Sequence, residues 1–290
     1  KRNRIGDDSL GFNNMDFRKV SFAIIITVAV LLVGASNVFA ETWTVSTETN
    51  WYDNAGTEKD VRTTISNGEL RLTGENAQGV WSYDDGSDPT SDLTSHNRDA
   101  DLINGASIET GGQFGNLLNL DQSGSEYAKV DETGVTWGEG GELTFVSWIR
   151  LNTATSNISS DQGIIRAREG WGSPGFGFYI QDGNNWRYTD DDSQFGSRFG
   201  SPNLDADTWY LLCVRWDGNN DNLEVYTGDY STGNFYLNDS TSQGFTPPTD
   251  VVLDLGSRED YEGGHFFDGE WDETMFFNSL LSEDEMKRIF

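Results

Sequence analysis

The residue types best suited to chemistry in this chain are carboxylates and aromatics set on apolar strands. Glu270 and Asp272 stand two apart in the run Gly269 to Phe277 (GEWDETMFF), and strand alternation puts both on one face. Retaining glycoside hydrolysis needs such a pair of carboxyl groups, about 5 Å apart. The same alternation groups Asp272 with Thr274 and Phe276, leaving Trp271, Met275 and Phe277 on the other face. An acid in a strand that is apolar on both sides needs a partner, because an unpaired buried charge is very costly. Two kinds of partner meet that need. One is a calcium ion, with Asp92, Asp272 and backbone carbonyls of the loop Ser95 to Asp99 supplying the roughly six to eight oxygens that calcium takes. The other is a set of backbone amides, with the aspartate tying a loop in place.

Aromatic rings and an arginine gather between Arg168 and Tyr188, where Trp171, Trp186, Arg187 and Tyr188 are the expected ligand contacts. Aromatic faces stack on sugar rings and guanidinium recognises carboxylate. Core packing is the competing account of the same rings. Other motifs carry less. Asp217, Asn219 and Asp221 imitate half of an EF-hand loop, but Asn222 and Gly228 occupy the places of its glycine and its bidentate glutamate, so a hairpin turn is expected. Asp190, Asp191 and Asp192 read as a solvated turn. The two histidines, His96 and His265, lack zinc-ligand spacing. Asn157 and Asn238 stand in N-x-S sequons and are expected at the surface. Cys213, the single cysteine, lies in the apolar run Trp209 to Trp216 and reads as a small core residue.

The chain of 290 residues has 48 acidic and 19 basic residues, a formal net charge of −29. Such a field repels phosphate backbones and excludes nucleic acid as the expected partner. Ten tryptophans, ten tyrosines and 17 phenylalanines supply ample apolar surface for folding. Acidic residues with few lysines suit a high-salt environment, so a halophilic source is expected. Residues 1–40 resemble a signal peptide: Arg18 and Lys19 precede the apolar stretch Val20 to Gly34, and Val38 and Ala40 suit cleavage before Glu41. Met15 is a natural start for it, which makes residues 1–14 an upstream extension. Left uncleaved, the stretch is a short membrane anchor. Cleavage removes five of the 19 basic and three of the 48 acidic residues, leaving 14 against 45 and a net charge of −31. Secretion or cell-surface display is therefore expected.

The elements that must position these groups are strands. Apolar runs at Glu142 to Leu151, Gly175 to Gln181, Thr208 to Trp216, Asn222 to Thr227, Val251 to Leu255 and Gly269 to Phe277 are each bounded by turn residues. The pattern predicts an all-β, two-sheet antiparallel sandwich. In the run Trp209 to Trp216 both alternating sets are apolar, which implies a sheet covered on both faces. One helix is predicted at the end, where Ser282 and Glu285 form a capping box and Leu281 and Met286 a hydrophobic staple. Residues 41–79 read as a strand-containing lead-in.

Residues 80–290 resemble the laminin-G-like jelly-roll domains of the concanavalin-A-like lectin and glucanase superfamily. Five segments in order carry the likeness: VWSYDDG with DLTSHNRDADLINGA (Val80 to Ala106), FGNLLNLDQSGSEYAKV (Phe114 to Val130), ELTFVSWIRL (Glu142 to Leu151), DTWYLLCVRWDGNNDNLEVYTGD (Asp207 to Asp229) and FDGEWDETMFFNSLLSEDEM (Phe267 to Met286). The departures are Ser95-His96 for Ser-Gly, Trp271 for an aliphatic residue and Thr227-Gly228 for Asn-Gly. The resemblance implies a jelly roll that binds a glycan or an extracellular protein partner, with a structural calcium ion at Asp92 and Asp272. Some glucanases of this fold carry E-x-D-x-E or E-x-D-x-x-E on one strand. Glu270 and Asp272 fit the first two places, but Thr274 or Met275 stands at the third, so the acid is missing and no catalysis is expected. The alternatives are a glycan hydrolase and a structural subunit of a surface layer, filament or virion.

Overall fold

The computed structural model describes residues 51–52, 58–59, 61–66, 69–74, 77–94, 96–131, 141–167, 175–190, 198–242, 252–258 and 265–290. The signal or anchor segment at 1–40 lies outside them. Among the described residues no helix is long and apolar enough to cross a membrane. Val61–Ser66 and Glu69–Gly74 pair as a hairpin, and Trp51–Tyr52 pairs with Glu58–Lys59. The sandwich begins at Ala77, three residues before the expected boundary, because Ala77–Trp81 already pairs with the strand Gly269–Phe277.

Its strands are β1 (Ala77–Trp81), β2 (Asp101–Ile103), β3 (Ser107–Gly112), β4 (Gly115–Leu120), β5 (Tyr127–Asp131), β6 (Leu143–Leu151), β7 (Gln162–Ala167), β8 (Phe176–Gln181), β9 (Asn185–Asp190), β10 (Arg198–Phe199), β11 (Trp209–Asp217), β12 (Asn222–Asp229), β13 (Asn234–Ser242), β14 (Val252–Leu255) and β15 (Gly269–Phe277). An eight-stranded sheet runs β13-β12-β11-β6-β15-β4-β3, with β1 also on β15, and a seven-stranded sheet runs β10-β9-β8-β7-β14-β5-β2. All pairings are antiparallel, as the turn-bounded runs predict.

The expected two-sided burial is present in the eight-stranded sheet. Tyr210, Leu212, Val214 and Trp216 face the main core with Phe178, Trp186 and Leu255 of the other sheet. Leu211 and Cys213 face outward into a second cluster with Trp148, Met275, Phe277 and Met286. That outer cluster is roofed by helix α1 (Glu283–Ile289), which Ser282 caps through a complete capping box. Acidic residues fill its first turn, and Lys287 and Arg288 its last, in line with the helix dipole. Phe290 then stacks on Trp148 with ring centroids 5.8 Å apart. A Cβ at residue 228 would lie 2.5 Å from the Phe290 ring, so Gly228 makes room for that side chain.

One expectation about faces is corrected. The β6–β15 register shifts by one residue between Val146 and Trp148, and Glu273 has φ +47°, the mark of a β-bulge with its extra residue in β15. Alternation therefore reverses across Glu273. Trp271 faces the main core with Phe276, whereas Asp272 falls on the outer face with Met275 and Phe277. Thr274 faces inward, where its Oγ1 lies 2.9 Å from Ser147 Oγ and accepts a 2.9 Å hydrogen bond from the Tyr83 hydroxyl.

Candidate functional site

The expected ligand contacts do not form a surface. Trp171 lies outside the described residues. Trp186 is 0% and Tyr188 2% exposed, both in the inter-sheet core. Phe178 stacks on Trp186 at 5.2 Å, and Trp216 meets Tyr188 edge-on at 5.7 Å, so neither ring presents a face to a sugar. Alternation explains this: in Trp186-Arg187-Tyr188 the outer residues of the triplet share one face and the middle residue takes the other. Arg187 does turn to the outer face of the seven-stranded sheet, but it is only 7% exposed and its guanidinium lies 5.7 Å from the Tyr179 ring. On the same sheet Arg166 donates to Asp254 at 2.7 Å, with both side chains nearly buried. Asn238 is likewise engaged. Its Oδ1 accepts a 2.7 Å hydrogen bond from the Trp186 indole, and its Nδ2 donates to Pro202 O at 3.3 Å. Asn238, expected at the surface, is thus half-buried and anchored, while Asn157 is exposed as expected.

The aspartates expected to hold calcium are engaged by donors. Asp92 Oδ1 accepts from the backbone N–H of Val80 and Thr94, each at 2.9 Å. Its Oδ2 accepts from Thr94 Oγ1 at 2.6 Å and Arg98 N at 3.0 Å. A carboxylate has about four lone-pair sites, and all four here face hydrogens. Asp272 Oδ2 accepts the N–H of Phe114 at 2.7 Å and thereby ties down the β3–β4 turn. The loop carbonyl of Arg98 accepts the Trp81 indole N–H at 2.9 Å. This donor set does not fit a calcium shell at Asp92; it fits the loop-tying arrangement.

An accessible strip of mixed chemistry lies elsewhere, on the outer face of the eight-stranded sheet beside α1. Register places Ser107, Asn119, Glu270, Arg150 and Trp209 side by side on β3, β4, β15, β6 and β11. Four strand spacings of about 4.8 Å make this row about 19 Å long. Arg150 Nε donates to Glu270 Oε2, and the guanidinium lies 5.0 Å over the Trp209 ring. Asn119 Nδ2 donates to Glu109 Oε1 at 3.2 Å. Past Trp209 the chain returns with Tyr230, whose N–H donates to Trp209 O at 3.3 Å and whose ring, 59% exposed, meets Trp148 edge-on at 5.9 Å. Residue-by-residue reading missed this strip because its members come from five strands, and only the register unites them. A usable signal was present: Arg150 and Trp209 hold outward places at the ends of two largely apolar strands.

The strip includes one of the two carboxylates of the hydrolase motif. Glu270 is held by Arg150, and Asp272 is fully buried against the Phe114 amide. The bulge decides the third place, since Met275 shares their outer face, beneath α1 with Met286. Burial pushes the nearby Tyr83 phenol well above its ordinary value, with Asp272 and Glu273 adding to the shift.

Comparison with known proteins agrees with the architecture. A laminin-G profile described as the concanavalin A-like lectin/glucanases superfamily matches residues 122–287. No curated protein sequence matches the chain. Similar solved structures include the binding domain of botulinum neurotoxin serotype D/C, with TM-score 0.54 and 13% identity over 74% of this chain and 51% of that one. The serotype G binding domain follows with TM-score 0.52 and 15% identity over 74% and 50%. A third, the binding domain of botulinum neurotoxin DC in complex with rat synaptotagmin II, has TM-score 0.52 and 13% identity over 74% and 51%. The chain thus spans about half the length of the structures it matches, and at these identities the likeness is one of fold. With more than half its length matched by the profile and two packed antiparallel sheets behind it, the chain belongs to the concanavalin A-like lectin/glucanases superfamily.

Proposed function

We propose that this domain is a non-catalytic carbohydrate-binding module acting outside the cell, and that its contact surface is the strip Asn119, Glu270, Arg150, Trp209 and Tyr230. The observation that carries this reading is the juxtaposition of one exposed ring, Tyr230, and one half-buried ring, Trp209, with a charged, hydrogen-bonding pair in one row across the sheet. Rings of this kind stack on pyranose faces, while the guanidinium and carboxylate bind hydroxyls in a fixed geometry. A row with one recognition side chain per strand suits an extended glycan laid across the strands. The family contains lectins, which supports the class of ligand, and the apolar run before Glu41 supports export. A glycan array probed with the full chain tests the reading. Binding to at least one glycan class is expected, lowered tenfold or more by Trp209→Ala and unchanged by Arg187→Ala. Binding that survives Trp209→Ala and is lost in Arg187→Ala moves the site to the other sheet.

A protein partner is the second reading. The three large apolar side chains well exposed among the described residues, Tyr230, Tyr236 and Leu237, all belong to the β12–β13 hairpin, and β13 is the sheet edge. Edge strands accept an added strand through their backbone. Pull-down of a cell-surface protein that Leu237→Asp abolishes, with an empty glycan array, favours this reading.

A further inference from the structure

We propose that the loop Asp92 to Asp99 carries its own cation, with the Arg98 guanidinium taking the structural role that the family resemblance assigns to calcium. Arg98 is 5% exposed, and its Nη1 donates to two oxygens of Gln78, the carbonyl at 2.5 Å and the side-chain Oε1 at 3.2 Å. Gln78 is itself buried on β1. The backbone of Arg98 works in the same direction: its N–H donates to Asp92 and its carbonyl accepts the Trp81 indole. One residue therefore fastens the loop to β1 through two separate groups, its guanidinium and its carbonyl, while its N–H closes the loop on Asp92. Around it, Asp92 N donates to Asp99 Oδ1 at 2.9 Å and Leu93 N to Val80 O at 2.8 Å.

A calcium shell needs oxygen lone pairs converging on an empty centre. Here the converging oxygens already meet hydrogens: four at Asp92, the indole at the Arg98 carbonyl, and the guanidinium at Gln78. A divalent ion in this loop strips those bonds and sits in a loop that already buries a positive charge, which Coulomb repulsion opposes at low dielectric. The guanidinium is permanently charged and presents several donors in a fixed fork, so it can cross-link carbonyl oxygens as a metal does, without depending on free calcium.

Thermal unfolding of the full chain decides the matter. The wild-type midpoint is expected to stay put on adding excess chelator or millimolar calcium. Arg98→Met is expected to lower it by about 5 °C or more, and Arg98→Lys to recover part of the loss. A calcium-dependent rise in the wild-type midpoint that Asp92→Asn abolishes overturns the proposal, as does an Arg98→Met midpoint equal to wild type. A calcium effect that persists in Asp92→Asn puts the ion elsewhere and upholds it. Should Arg98→Met fail to fold, the wild-type and Asp92→Asn titrations still give the answer.

Discussion

Burial gives Cys213 and Tyr83 a shared pH signature. Burial pushes the Cys213 thiol and the Tyr83 phenol above their ordinary values of 9.0 and 10.0, and it raises the Tyr210 and Tyr226 phenols as well. Above those ordinary values the unfolded chain releases protons that the folded chain keeps. The contribution is therefore complete below about pH 9 and lost as pH rises. Urea midpoints are expected to fall from about pH 9 upward, with the first part of the fall removed in Cys213→Ala; a midpoint flat to pH 11 contradicts these burials. At this scale Cys213 was legible, because a lone thiol in an apolar run has few other uses. Asp272 was not. Its face depends on the extra residue at Glu273, and nothing local in GEWDETMFF marks that residue as a bulge.

Elements differ in how local their instructions are. The start of helix α1 was legible to the residue, since a capping box, an acidic first turn and a basic last turn all sit within one short stretch. Ser282→Ala removes the side-chain acceptor for Glu285 N–H and is expected to cost about 1 kcal/mol in chemical denaturation. A loss under a few tenths would mean that packing of Met286 alone holds the helix. The strands β11 and β12 were also legible from alternation, and so was the turn between them, where Asp217 accepts the Asn220 N–H at 3.0 Å. What escaped was pairing order. Both β1 and β4 pair with the same edge of β15, one on each side of the bulge, and such long-range register leaves no trace in any single run. The proposed strip is a product of that register, which is why Asn119, Arg150, Trp209 and Tyr230 were overlooked while Trp186, Arg187 and Tyr188, consecutive in sequence, drew attention.

For the whole molecule, charge and fold make separate demands. A net charge of −29 opposes compaction, and added salt shortens its reach from about 10 Å at 0.1 M to about 3 Å at 1 M. The melting temperature is accordingly expected to rise as sodium chloride is increased toward molar concentrations; a fall would remove the case for a high-salt habitat. The fold itself rests on the two apolar faces of the eight-stranded sheet, one packed on the seven-stranded sheet and one under α1. The roof leaves the end of the outer face, from Asn119 to Tyr230, accessible for contact. Hydrogen–deuterium exchange of the full chain, with and without a glycan selected on the array, tests this most directly. Protection is predicted along Arg150, Trp209 and Glu270 and in the Tyr230 turn, with β8 and β9 unchanged. Protection centred on Tyr179 and Arg187, with β6 and β11 unaffected, would contradict it.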